Sequence, residues 1–163
     1  MFVRTASERD IEAVRALLVE TWHATYDAIY GTEKVTEITD SWHSIASLRR
    51  RLTRPNSEFL VADDGKRIGG MAYAEADAGG DTVMLRQLYV LPALQGRGIG
   101  GMLLDEIIES FSDAKRMRLE VEEQNVKAIA FYQAHGFAQT DRTANCGADQ
   151  SGIPALIYEM PLI

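Results

Sequence analysis

Hydrophobic positions along this chain change their period several times, and each change marks an element. Phe2-Val3-Arg4-Thr5 reads as a short first strand. Ser7 suits an N-cap, after which Ile11, Val14, Leu18 and Trp22 recur at helical spacing. Ile38, Trp42, Ile45, Leu48 and Leu52 form a second helical stripe. It stops before Pro55, which disfavours helix at the residue preceding it. Residues 59–62 and 68–73 are apolar runs flanking Asp63-Asp64-Gly65, a hairpin signal. Gly79-Gly80-Asp81 then precedes a strand over 82–90. A further helix carries Ile99, Leu103, Leu104, Ile107, Ile108 and Phe111 on one face. Met117, Leu119 and Val121 alternate with Arg118, Glu120 and Glu122, giving a strand with one wetter face. Asn125 caps a short helix running to His135, with Gly136 as its terminal glycine. Residues 137–140 and 155–160 read as closing strands.

The order is β-α-α-β-β-β-α-β-α-β-β, an α+β layout with about four helices on a mixed, mostly antiparallel sheet of about six to seven strands. No repeat, low-complexity tract or linker interrupts residues 1–163, so a single domain is expected. Hydrophobic residues make up 46% of the 163, enough for a sizeable core. No apolar run approaches the roughly 18 residues that span a bilayer, and polar residues stand where a signal peptide needs an apolar stretch. The expected setting is cytoplasmic. The single cysteine, Cys146, excludes an internal disulfide and a cysteine-rich metal site. A net charge of −7 argues against nucleic acid or an anionic membrane as partner. The one dense basic run, Arg49-Arg50-Arg51 with Arg54, reads as the solvated face and C-terminal end of the second helix.

The candidate chemistry begins at Pro92. There a strand gives way to Gln95-Gly96-Arg97-Gly98-Ile99-Gly100-Gly101, and a helix follows at once. Backbone N–H groups in such a turn converge on one spot, backed by the positive end of a helix dipole, which suits phosphate. A Cβ at Gly98 or Gly100 would block close approach. A P-loop is excluded, because Gly-Lys-Ser/Thr is missing. The dinucleotide pattern G-x-G-x-x-G fits Gly96, Gly98 and Gly101, with Glu120 and Glu122 where a ribose-binding acid would stand. Against it, residues 92–95 separate strand from first glycine, few strands follow, and hairpins rather than helical crossovers join those before.

The other pattern is Gln-x-x-Gly-x-Gly on Gln95, Gly98 and Gly100. With it the chain resembles the GNAT superfamily of N-acetyltransferases, whose cofactor motif reads Gln/Arg-x-x-Gly-x-Gly/Ala between the fourth strand and a helix. Leu88-Tyr89-Val90-Leu91-Pro92 resembles the family's strand and its proline exit. Asn125, Ala128, Phe131, Tyr132, Gly136 and Phe137 are similar to its second cofactor segment, except that two residues rather than three separate Ala128 from Phe131. Residues 22–26 resemble the aromatic stretch that many members carry after the first helix.

The resemblance implies acetyl-CoA as co-substrate and direct attack by a primary amine of a small molecule. A protein or peptide acceptor and a non-catalytic acyl-CoA-binding module are the alternatives. It implies that N–H groups of Gly96, Arg97, Gly98, Ile99, Gly100 and Gly101 hold the pyrophosphate while Gln95 orders the loop. Backbone groups of Leu88, Tyr89 and Val90 would pair with the pantetheine arm and polarise the thioester carbonyl. Tyr132 is the candidate acid for the departing thiolate, and Asn125 reads equally as cap and as pantetheine contact. No carboxylate occupies Arg86-Gln87, where several members carry a base. Glu75, Glu120 and Glu122 are substitutes, through a water, but each reads first as a solvated strand residue, so no base is assigned. His23, His43 and His135 have no paired spacing, so no metal is expected. Trp22, Tyr26 and Tyr30 read as core before cage. Cys146 lies in loop 143–152, which in the family closes over the acceptor. A homodimer is compatible with the resemblance.

Overall fold

The computed structural model describes residues 1–146 and 151–162. In chain order the elements are β1 (Phe2–Thr5), α1 (Ile11–Tyr30), α2 (Thr32–Trp42), α3 (Ile45–Thr53), β2 (Ser57–Asp63), β3 (Ile68–Ala76), β4 (Thr82–Val90), α4 (Ile99–Ser110), β5 (Arg116–Glu122), α5 (Val126–Ala134), β6 (Ala138–Thr143) and β7 (Ala155–Pro161). The strands form one sheet in the order β1-β2-β3-β4-β5-β7-β6. β4 and β5 run parallel, whereas β1·β2, β5·β7 and β6·β7 are antiparallel. This is the α+β, mostly antiparallel architecture that the hydrophobic pattern predicts.

The stripe from Ile38 to Leu52 is divided between two helices. His43 leaves helical geometry at ψ 33°, and Ser44 starts α3 by accepting from the Ser47 N–H at 3.1 Å. A serine that offers the backbone an alternative partner ends one helix and caps the next. The break keeps Ile38 and Leu48 buried, which is why periodicity alone reads straight through it. Gly31, at φ +87°, makes the other boundary between α1 and α2.

The chain divides into two compact units, Met1–Tyr73 with Gln87–Ser110, and Ala74–Arg86 with Phe111–Ile163. In the first, Ile11, Val14, Leu17, Leu18, Leu48, Phe59, Val61, Met71 and Tyr73 form a shared core. Before α1, the Ser7 N–H and hydroxyl donate to the Asp10 carboxylate at 2.8 and 3.2 Å in a single 3-10 turn. Arg4 then bridges Asp10 and Asp63 at 2.8 and 3.0 Å, fastening β1 to the turn and to the end of β2. That guanidinium, with the Ser7 N–H, holds the Asp10 carboxyl down at about 2. In the second unit, Met117, Leu119, Val121, Phe137, Ile153, Ala155 and Tyr158 are buried.

Candidate active site

The glycine turn lies in the first unit and is built by a close approach of α4 to β3. Gly70 is the enabling residue. A Cβ there would meet Leu103 Cδ1 at 3.0 Å, the Tyr89 carbonyl at 3.1 Å and Ile99 Cγ2 at 3.3 Å. At Gly69 a Cβ would meet Leu94 Cδ1 at 2.7 Å. Two adjacent glycines on β3 thus seat both the 3-10 turn Pro92–Leu94 and the first turn of α4. In the sequence this pair stands only as part of an apolar strand run. Its signal was the doubled glycine inside an apolar run, which marks close backbone approach.

From that seat the turn unfolds residue by residue. Leu88, Tyr89 and Val90 lie half-buried at the end of β4. The Leu91 N–H donates to the Gly69 carbonyl at 2.9 Å. Gln95 is exposed, and its Nε2 donates to the Val90 carbonyl at 3.1 Å, tying the turn back to its strand. Gly96 and Gly98 stand at φ +80° and +83°, conformations that favour glycine, on either side of the exposed Arg97. The Gly98 carbonyl accepts from the Met102 N–H at 3.1 Å, so Ile99, Gly100 and Gly101 supply the first N–H groups of α4. The first donors of a helix have no partner within it. No acidic side chain occupies the first turn, so the positive end of the dipole is left uncompensated. The residues present therefore fit a phosphate-bearing ligand.

The segment that resembles the family's second cofactor segment lies in the other unit. Asn125 caps α5, its Oδ1 accepting from the Ala128 N–H at 3.3 Å. Tyr132 is buried, with Phe131 and Phe137 edge-on at centroid distances of 5.3 and 5.5 Å. Gly136 ends the helix at φ +99°, where a Cβ would press on Met160 Sδ at 3.2 Å. The parallel ladder of β4 with β5 runs from Thr82↔Arg116 to Leu85↔Leu119. It covers four of β4's nine residues and stops short of Leu88.

A sequence profile of the acetyltransferase (GNAT) family matches residues 12–137, taking in both segments. The chain belongs to that family. An uncharacterised N-acetyltransferase of Mycobacterium tuberculosis is 28% identical over 155 residues, spanning 93% of this chain and 98% of the relative. The peptidyl-lysine N-acetyltransferase YiaC of Escherichia coli is 26% identical over 165 residues, 99% and 97% of the two chains. Among solved structures, the PaiA N-acetyltransferase of Thermoplasma acidophilum, in complex with coenzyme A, is similar at a TM-score of 0.86 and 25% identity over 98% of both chains. The protein is thus an acyltransferase that uses acetyl-CoA. Among the described residues no helix is long and apolar enough to cross a membrane.

Within that family setting the acidic candidates separate. Glu75 pairs with Arg86 at 3.1 Å. Glu120 is half-buried on β5, whereas Glu122 is only 4% exposed, against the expectation of a solvated strand residue. At the end of β5 its Oε2 accepts from the Gln124 N–H at 2.7 Å. Cys146 is partly buried, its N–H donating to the Ile153 carbonyl at 2.7 Å. Burial, then the nearby carboxylates of Glu120 and Glu122, push its thiol up to about 12. Residues 147–150 of the loop expected to close over the acceptor lie outside the described residues.

The aromatic and basic residues of the helices are mostly structural. Trp22 and Tyr26 are buried and tilted together at 4.6 Å, with Tyr30 half-buried beyond them. His43 is 1% exposed, and desolvation, followed by the charges of Arg51 and Arg15, drives its pKa down to about 3. Arg51 departs from the solvated reading of the basic run. It donates to the Trp42 carbonyl at 2.6 Å and lies over the Tyr73 ring at 5.7 Å, because its long stem covers apolar surface. Arg49 pairs with Glu8 at 2.6 Å. His23 pairs with Asp27 at 2.6 Å and His135 closes α5. Among the described residues no histidine, cysteine or acidic cluster has the arrangement of a metal site.

Proposed function

We propose that this protein transfers the acetyl group of acetyl-CoA to a primary amine of a small molecule by direct attack in a ternary complex. The observation that carries the cofactor half is the turn at Gly96–Gly98, with open space at both Cβ positions and no acid behind it. N–H groups from Gly96 to Gly101 bind the pyrophosphate, and Gln95 holds the turn. Backbone groups of Leu88, Tyr89 and Val90 receive the pantetheine arm as an added strand, a reading supported by the β4·β5 ladder ending at Leu85. The neutral amine nitrogen attacks the thioester carbonyl, the C–S bond breaks, the Tyr132 hydroxyl gives its proton to the departing thiolate, and the proton shed by the new amide nitrogen returns through solvent to Tyr132. Asn125 holds the start of the helix that carries Tyr132. Direct attack is favoured over an acyl-cysteine because the only cysteine has its thiol pushed up to about 12, keeping it protonated and a poor nucleophile.

A lysine side chain of a protein is the second reading, favoured by the likeness to the peptidyl-lysine enzyme. Acetyl-CoA turnover over a panel of small amines and lysine peptides separates the two. Acetylation of small amines alone is the expected result, and acetylation of peptides alone would replace it with the second reading. In a thermal-shift series, CoA at 100 times its Kd adds about 2.7 kcal/mol to stability. Stabilisation by NAD but not by CoA would overturn the cofactor assignment.

A further inference from the structure

We propose that Glu122, with Glu120 beside it on β5, forms a cation subsite that holds the acceptor's ammonium before transfer. The proposal deepens the acetyltransferase reading and rests on it for the identity of the cation. Its starting point is an orphaned atom. Glu122 is 4% exposed, one carboxylate oxygen accepts from the Gln124 N–H, and the other is buried with no hydrogen-bond partner among the described residues. A carboxylate only accepts, and a buried acceptor left without a donor is costly. The site is therefore short of one donor, and for a carboxylate the best donor is a cation.

Among the described residues, the cations of the neighbouring strands are engaged elsewhere. Arg86 is engaged by Glu75 at 3.1 Å, Arg118 by Glu159 at 2.9 Å, and Arg142 by Glu123 at 3.1 Å. Arg116 donates to the Thr82 hydroxyl at 2.7 Å, and Lys115 faces Asp81 at 3.7 Å. Side chains two apart on a strand share a face, so Glu120 and Glu122 stand together, opposite Ile157 and Ala155 of β7. Ala155 is a small neighbour for so large a polar group. Burial chiefly, and then the charges of Glu120 and Glu122, push the Cys146 thiol up, while Arg86 opposes them. The cluster thus combines two acidic side chains, a neutral thiol and one unmet acceptor. A primary ammonium has three donors and a single positive charge, which meets this need; a carboxylate or phosphate would be repelled.

Cys146, the only cysteine, reports on the site directly. The rate of its alkylation by iodoacetamide is measured at fixed pH while n-butylammonium chloride is titrated against sodium chloride of equal ionic strength. n-Butanol serves as the uncharged control. The expected result is a saturable change in rate of at least about threefold, since thiol reactivity follows its electrostatic surroundings, with no response to n-butanol and none in Glu122→Gln. A wild-type rate that ignores n-butylammonium, or responds equally to n-butanol, overturns the subsite. An undiminished response in Glu122→Gln removes Glu122 from it. The wild-type comparison decides even if the variant fails to fold. Calorimetric titration with CoA runs separately: failure to bind CoA would overturn the acetyltransferase reading while leaving the cation site standing.

Discussion

Gly98→Ala separates the strain of the glycine turn from its function. Gly98 sits at φ +83°, and a Cβ added there meets nothing within 4 Å. Alanine therefore costs only the backbone penalty of a left-handed residue, about 1–2 kcal/mol. For a chain of this length that lowers Tm by about 2–4 °C per kcal/mol. In the proposed cofactor site the same open space receives a phosphate, so the methyl group also holds it away from the N–H donors of α4. Each hydrogen bond to a charged group contributes about 1.5–3 kcal/mol, so losing one weakens CoA binding about tenfold to a hundredfold. Gly65→Ala is the matched control, since Gly65 stands at φ +92°, also with nothing within 4 Å, but in the β2–β3 turn. Both variants should lose similar stability by scanning calorimetry. Only Gly98→Ala should lose CoA affinity by isothermal titration. Equal CoA affinity in the two variants would refute the cradle.

Tyr132→Phe should lower kcat about a hundredfold, the usual worth of a positioned acid, while the Kd for CoA stays unchanged; unaltered turnover removes Tyr132 from the chemistry. His43 should govern acid sensitivity. Its pKa falls from 6.5 in the unfolded chain to about 3 when folded, so the unfolded state takes up a proton first as pH drops. Stability is then full above 6.5 and lost as pH falls towards 3, by up to about 5 kcal/mol at roughly 1.4 per pH unit. Urea unfolding at stepped pH checks this, and a His43→Gln variant with the same slope would show that another group is responsible.

Most of the fold was legible because burial and period agree. β5 alternates, α4 keeps Ile99, Leu103, Leu104 and Ile107 on one buried face, and Asn125 and Gly136 bracket α5. Where reading failed, a polar residue had an unforeseen partner. Ser44 split one stripe into two helices without moving its apolar face. Arg51 looked solvated because its own helix ends there, yet Trp42 and Tyr73 receive it from elsewhere in the chain. Glu122 alternates like a wet strand residue, yet it is only 4% exposed in the folded chain, a burial that no local period carries. The glycine turn was plain in sequence, whereas its seat was not. That Gly69 and Gly70 admit Leu94, Ile99 and Leu103 depends on packing across 25 to 33 residues of chain, which no local period carries.

The division of the chain has a consequence for how the protein is made. Residues 74–86 are the tip of the β3–β4 hairpin, yet they belong with Phe111–Ile163 rather than with their own stems. Thr82–Leu85 of β4 take Arg116–Leu119 as partner, residues synthesised 34 positions later. Until β5 emerges, that stretch is an open strand edge, the kind of surface on which chains join one another. Neither half can be cut out as a continuous segment, so the strand leading to the glycine turn is completed only when Arg116–Leu119 arrive to cover its edge.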